Sequence, residues 1–168
     1  MDPQSGHVKA WVGGINQKYF QYDHVRQGAR QVGSTFKPFL YATTIDQLHR
    51  TPCDTIIDGP FTMPKGTFGI QSAWSPKNSS NKYEGAVTMK YALAHSINTV
   101  SAKLMNEVGP KAVVDMAHRL GVTADIPESP AIALGAVEIN VSEMVAAYST
   151  FANQGMYIKP IMITRIED

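Results

Sequence analysis

Gly33-Ser34-Thr35-Phe36-Lys37-Pro38-Phe39 sets a serine and a lysine three residues apart at the head of an amphipathic run. Phe36, Phe39, Leu40, Thr43 and Leu48 recur near helical spacing, which predicts a helix from this point to about His49. Residues three apart on a helix are neighbours, about 5–6 Å apart at Cβ, so Lys37 is placed to take a proton from Ser34. Burial drives a lysine towards the neutral form that a base requires. The positive end of the helix dipole favours an alkoxide at Ser34. Pro38 lacks an N–H and fits only the helix start. A residue that precedes proline is biased away from helical angles, and here that residue is Lys37, so a distorted first turn is expected.

Ser-x-x-Lys is a common pair, and the chain holds a second at Ser79 and Lys82, in a polar stretch with no apolar periodicity behind it. The plain alternative for Ser34 is a helix N-cap, with Lys37 a solvated charge. Context decides between them. Ser96-Ile97-Asn98 lies between two predicted helices, where a second serine can pass protons and an asparagine amide can bond a substrate carbonyl or the lysine. The plain alternative is again capping of the following helix, and Ser79-Ser80-Asn81 repeats the same spacing.

The 168 residues suit one domain by the usual ~100–200 residues per domain. With 43% hydrophobic and 17% charged residues the chain reads as globular. A net charge of +1 makes no electrostatic case for nucleic acid or an anionic membrane. Cys53 is the single cysteine, so no internal disulfide forms. No stretch approaches the ~20 apolar residues of a membrane-spanning helix, and no signal peptide opens the chain. Asp2-Pro3-Gln4-Ser5-Gly6 has turn composition and leads directly into an expected strand.

Val8 to Val12 alternates and meets Gly13-Gly14, as a strand ending in a turn does. Tyr19 to Tyr22 is a second short extended candidate. Thr51 to Lys82 is a long Pro, Gly, Ser and Asn-rich segment with short strands expected near Thr55–Ile57 and Thr67–Ile70; Trp74, Pro76, Asn78 and Tyr83 point to packing there. Val87 to Ala94 reads as a short helix capped by Thr88. Ile97, Val100, Leu104 and Val108 mark a helix ending at Gly109. Pro110 opens the next, lined by Val113, Met116, Ala117 and Leu120 and closed by Gly121. Ser142 is the expected N-cap of a helix carrying Met144, Tyr148, Phe151 and Ala152. Tyr157 to Ile166 alternates as a strand, with Pro160 favouring an edge. The methionines fall at core-like spacings.

The ordered pair of elements resembles the serine–lysine acyltransferases, the superfamily of penicillin-binding proteins and serine β-lactamases, whose signature is Ser-x-x-Lys, then Ser-Asp-Asn, then Lys-Thr-Gly. The wider text is similar as well. Asp2 to Gly14 looks like the strand that opens a penicillin-binding transpeptidase domain. Ala29 to Phe39 looks like its nucleophile segment. Trp74-Ser75-Pro76-Lys77-Asn78, Gly85 and Val87 to Thr99 look like its second-motif region. The resemblance is closest to class A enzymes, whose parents are membrane-anchored on the outer, periplasmic face of the cytoplasmic membrane and carry a glycosyltransferase domain upstream. It implies a mixed α/β fold: the helix-rich part of a transpeptidase domain, a helical cluster on an incomplete antiparallel sheet. It implies that Ser34 is the acylated nucleophile, Lys37 its general base, Ser96 a proton relay and Asn98 a binder of the substrate amide, with the Ser34 N–H as half of an oxyanion hole. The implied partners are peptidoglycan stem peptides ending in D-Ala-D-Ala and β-lactams, with no metal or cofactor. The five histidines lack ligand spacing.

No Lys-Thr-Gly occurs in the chain. Residues 1–168 are therefore expected to be a partial transpeptidase domain, truncated at both ends and before that motif, with weak or no turnover and an open apolar sheet edge available for self-association. The competing readings are a β-lactam-binding sensor module, an inactive structural fragment of the same fold, and a β-lactamase. The last needs a deacylating carboxylate, and Glu128 and Glu138 stand in the wrong surroundings for one.

Overall fold

The structure, a computed structural model, describes residues 1–16 and 18–167. Its described elements are β1 (Arg30–Gln31), α1 (Lys37–Leu48), β2 (Thr55–Asp58), β3 (Gly85–Thr88), α2 (Met89–Ala94), α3 (Asn98–Val108), α4 (Pro110–Arg119), β4 (Glu138–Ile139) and α5 (Val141–Ala152), with 3-10 turns at Gly33–Phe36, Thr67–Gly69 and Pro130–Leu134. The expected mixed α/β class holds, as helices with two short antiparallel sheets, β1–β4 and β2–β3. The chain divides into two compact units, Val32–Met116 with Ile126–Val137, and Met1–Gln31 with Ala117–Asp125 and Glu138–Asp168.

The first of these units holds the larger core. Phe36, Phe39, Leu40, Val100, Leu104, Met105, Val113 and Ile132 are all fully buried. α1 buries Phe39, Leu40, Thr43 and Thr44. The two threonine hydroxyls are satisfied by donating to the carbonyls of Phe39 and Leu40, 2.8 and 2.9 Å away, which lets polar residues occupy a core face. Leu48, counted at the sequence level with the apolar run, is 39% exposed in the last turn. β2 and β3 pair in register from Thr55↔Thr88 to Asp58↔Gly85. Strand alternation turns Ile56 and Asp58 to the buried side and leaves Ile57 exposed. Thr88 then caps α2 as expected, its hydroxyl accepting from the Tyr91 N–H. Val87, read as helix from the sequence, is the last buried residue of β3.

The start of α1 is fixed by a close backbone approach. The Gly33 N–H donates to the Gly135 carbonyl at 3.1 Å. A Cβ on Gly135, whose φ is +76°, would lie 1.8 Å from the Gly33 oxygen. Only glycine fits there, and the contact anchors the 3-10 turn that carries Ser34.

In the second unit, β1 pairs with β4 as Arg30↔Ile139 and Gln31↔Glu138. Leu120, Val122, Ile139, Ala146 and Ala147 are buried. α5 differs from its sequence reading at the cap. Its N-cap is Asn140, whose Oδ1 accepts from the Glu143 N–H at 2.9 Å, whereas Ser142 lies inside the helix and donates to that same Oδ1. Its buried face is made of small residues, Ala146, Ala147, Ser149 and Thr150, and Tyr148 and Phe151 are exposed.

The two terminal strands are shorter than the alternation predicts. Val8 to Val12 and Tyr157 to Ile166 reduce to a single parallel bridge between His7 and Ile161. Its bonds are Val8 N–H to Ile161 O and Ile161 N–H to Gly6 O, 3.0 and 2.8 Å. Pro160 has no N–H to extend the ladder. The alternating residues of both arms therefore stay accessible, Val12, Ile163 and Ile166 being 79%, 70% and 83% exposed. Tyr19 to Tyr22 forms no strand; Phe20 and Tyr22 instead gather on His24. The expected strand at Thr67–Ile70 is a 3-10 turn, because Gly66 and Gly69 both take positive φ.

Candidate active site

Lys37 is the first residue of α1 and is 1% exposed. Its angles are helical (φ −56°, ψ −38°) despite the following proline. The distortion expected at this point falls one turn earlier, where Gly33–Phe36 winds as a 3-10 turn and the Lys37 N–H bonds to the Ser34 carbonyl. Side chains three apart on a 3-10 turn eclipse, so the tight winding keeps Ser34 and Lys37 on one side. The Ser34 side chain is exposed and caps nothing; the residue before the turn is Val32, without a side-chain cap.

The Lys37 Nζ donates to three oxygens: the Ser96 carbonyl at 2.6 Å, the Ser96 Oγ at 2.9 Å and the Asn98 Oδ1 at 2.7 Å. The structure thus brings together three of the four residues singled out in the sequence. The fourth, Ser34, is left with a hydroxyl that makes no hydrogen bond among the described residues. Neither Ser96 nor Asn98 caps α3 with its side chain, since the cap position is Ile97. Both side chains turn to the lysine instead. Ser96 reaches it from a left-handed backbone conformation, φ +54°, which a non-glycine residue adopts at a cost and which collects at functional sites.

Burial lowers the Lys37 pKa from 10.5 to about 8. The three acceptors are neutral and only partly offset the lost hydration. The cage also suits the neutral amine. Two of its acceptors are carbonyl oxygens, which can take the amine's two N–H bonds, and the third is a hydroxyl, which can rotate to donate to the lone pair. A group poised in this way exchanges a proton near neutral pH without rebuilding its surroundings.

Two residues of the site, Asn78 and Asp58, have no role assigned from the sequence. Asn78 holds the backbone of α3: its Oδ1 accepts from the N–H groups of Asn98 and Thr99 at 3.0 and 3.2 Å. Asp58, 2% exposed, accepts from the Asn78 Nδ2 at 2.8 Å, from the Glu84 N–H at 2.9 Å and from the Thr99 hydroxyl. Burial works to raise the Asp58 pKa, but the bonds from Thr99, Asn78 and Glu84, with Lys103 nearby, outweigh it and hold the carboxyl below its ordinary value. The strand expected near Thr55–Ile57 stops one residue short of the signal: continued by period 2 to Asp58, it puts that carboxylate on the face of Ile56. Asn78 enters the sequence reading only as a packing residue of its loop and as the end of Trp74-Ser75-Pro76-Lys77-Asn78 in the family resemblance, with no role attached. The second Ser-x-x-Lys is an exposed turn, in which the Ser80 hydroxyl, not Ser79, bonds the Lys82 N–H.

Fold and site define a class, that of mixed α/β proteins in which a buried lysine follows an exposed serine by one turn and is held by a Ser-x-Asn loop. Within that class the chain belongs to the family of penicillin-binding protein transpeptidase domains, whose model matches residues 1–168. It is 35% identical to penicillin-binding protein 1A of Vibrio cholerae, over 100% of this chain and 20% of that protein. The solved structure of penicillin-binding protein 1A from Haemophilus influenzae matches 100% of this chain and 25% of its own, with TM-score 0.92 and 31% identity. The PonA1 protein from Mycobacterium tuberculosis, solved in complex with penicillin V, matches 95% of this chain and 44% of its own, with TM-score 0.81 and 28% identity. The chain spans about a fifth of the length of the Vibrio relative.

Proposed function

We propose that the chain carries the acyl-transfer site of a peptidoglycan D,D-transpeptidase, which cross-links stem peptides ending in D-Ala-D-Ala through an acyl-enzyme on Ser34. The observation that carries this reading is the buried Lys37, titrating near 8 and held by Ser96 and Asn98 one turn after an exposed serine. Neutral Lys37 takes the Ser34 proton as Oγ attacks the carbonyl of the penultimate D-Ala, forming the tetrahedral oxyanion. The Ser34 N–H, at the head of the 3-10 turn, donates to that oxyanion. The Ser96 hydroxyl passes the proton to the departing D-alanine amine, and the Asn98 amide holds the substrate peptide. An acceptor amine from a second stem peptide then takes the acyl group and frees Ser34. β-Lactams acylate the same oxygen by ring opening; a relative of this fold is solved with penicillin V.

The family's Lys-Thr-Gly has no counterpart in the chain, and we expect residues 1–168 alone to turn over weakly, as a partial domain. The parent is a membrane-anchored synthase with an upstream glycosyltransferase domain, acting on the outer face of the cytoplasmic membrane. Among the described residues no helix is long and apolar enough to cross a membrane. Intact mass after incubation with a fluorescent penicillin tests the reading, in this chain and in a longer protein that includes a Lys-Thr-Gly. A single adduct abolished by Ser34→Ala is expected at least in the longer protein. An adduct that survives the substitution, or none in either, refutes the role given to Ser34.

A further inference from the structure

The geometry points to Asp58 and Asn78 as a positioning pair that aims the Ser96–Asn98 loop at Lys37. α3 starts without a side-chain cap of its own, so its leading N–H groups need an acceptor from elsewhere. Asn78 supplies it from 20 residues upstream, accepting from Asn98 and Thr99. An amide can face either way, and one of its two ends must be told which. The Asp58 carboxylate, kept ionised by its bonds, accepts only. It therefore requires the Asn78 Nδ2, 2.8 Å away, to point at it, with the Lys82 carbonyl taking the other hydrogen at 3.0 Å. The Asn78 oxygen is thereby turned to the head of α3. Asn98 is the first residue of that helix, so fixing its N–H fixes the Cα from which its Oδ1 reaches Lys37. The Asn98 Nδ2 donates to the Lys77 carbonyl at 2.9 Å, next to Asn78, and sets the side chain's own orientation. None of these contacts involves substrate; the pair acts on the reaction through the lysine cage.

This inference rests on Lys37 being the base of the proposed reaction, and its test reads Lys37 separately from acylation. Asn78→Ala removes the acceptor. Asn78→Asp sets two carboxylates against each other. Asp58→Asn with Asn78→Asp exchanges the roles, so that an amide at 58 again donates to an acceptor at 78 that faces α3. The side-chain carbon resonance of Lys37, followed through a pH titration in isotopically labelled protein, reports the cage. The acylation rate by a chromogenic β-lactam, in the longer protein if this chain does not acylate, reports the chemistry. Both single variants are expected to move the Lys37 titration away from the wild-type curve and to slow acylation about 100-fold, the cost of a small misplacement. The exchange variant is expected to recover most of both. A folded Asn78→Ala protein with wild-type Lys37 titration overturns the inference. So does a folded exchange variant that titrates no closer to wild type than Asn78→Asp does, which decides the matter even where Asn78→Ala fails to fold. If wild-type protein never acylates, the acyl-transfer reading falls while the titration still decides the positioning role.

Discussion

Replacing Lys37 by methionine keeps the length and apolar stem of the side chain and removes its titration. In the wild-type protein the folded pKa of about 8 stands below the ordinary 10.5. Between those values the folded chain holds fewer protons than the unfolded chain, so stability rises with pH. The penalty for burying the charge is fully present at pH well below 8 and is relieved as pH climbs through 8 towards 10.5. The linkage relation gives a gain of about 1.4 kcal/mol from pH 7 to pH 9 and about 2.5 kcal/mol from pH 7 to pH 10. Other groups titrate in this range too, but they cancel when wild type and Lys37→Met are compared at each pH. The Ser96 and Asn98 oxygens left without a donor cost the variant a pH-independent amount. The assay is urea denaturation of both proteins at pH 7, 9 and 10. The stability difference, wild type minus variant, is expected to climb by these amounts. Parallel curves would refute the reasoning, because they would mean that Lys37 titrates alike folded and unfolded.

Two further outcomes are expected. The rate of β-lactam acylation of Ser34 should rise about tenfold from pH 7 to pH 9 as Lys37 becomes neutral, with an apparent pKa near 8; stopped-flow acylation over that range checks it, and a flat profile removes Lys37 as the base. Gly135→Ala should cost at least about 2 kcal/mol, since a left-handed backbone is combined with a methyl driven onto the Gly33 oxygen; thermal unfolding of the variant measures it, and the loss of anchoring should slow acylation as well.

Helical segments with both a periodic face and a terminating residue read correctly. α3 ends at Gly109 and α4 opens at Pro110, where the sequence places those boundaries, because their stop and start signals are local. The strand readings failed where the outcome depended on a partner. Val8 to Val12 and Tyr157 to Ile166 have the right alternation, but a ladder needs a second backbone at the right spacing, and only one bridge joins them. The sequence reading of α5 leaves its buried side open, and the fold buries the alanines, Ser149 and Thr150 in place of the large apolar Tyr148 and Phe151.

Ser34, Lys37, Ser96 and Asn98 were legible because their chemistry is carried by residue type and short spacing, each pair lying within one turn or loop. Their assembly was not, because it spans 59 to 61 residues from Lys37 to Ser96 and Asn98, and no local propensity encodes a contact of that range. The lysine's lowered pKa was expected in direction, but its extent follows from how much of the side chain the fold seals from water. Asp58 and Asn78 belong wholly to this second category. A carboxylate on a short strand and an asparagine in a proline-rich loop look ordinary along the chain. They become a clamp on α3 only when the tertiary structure buries them together, where desolvation makes every unsatisfied polar atom costly and so fixes which hydrogen bonds form.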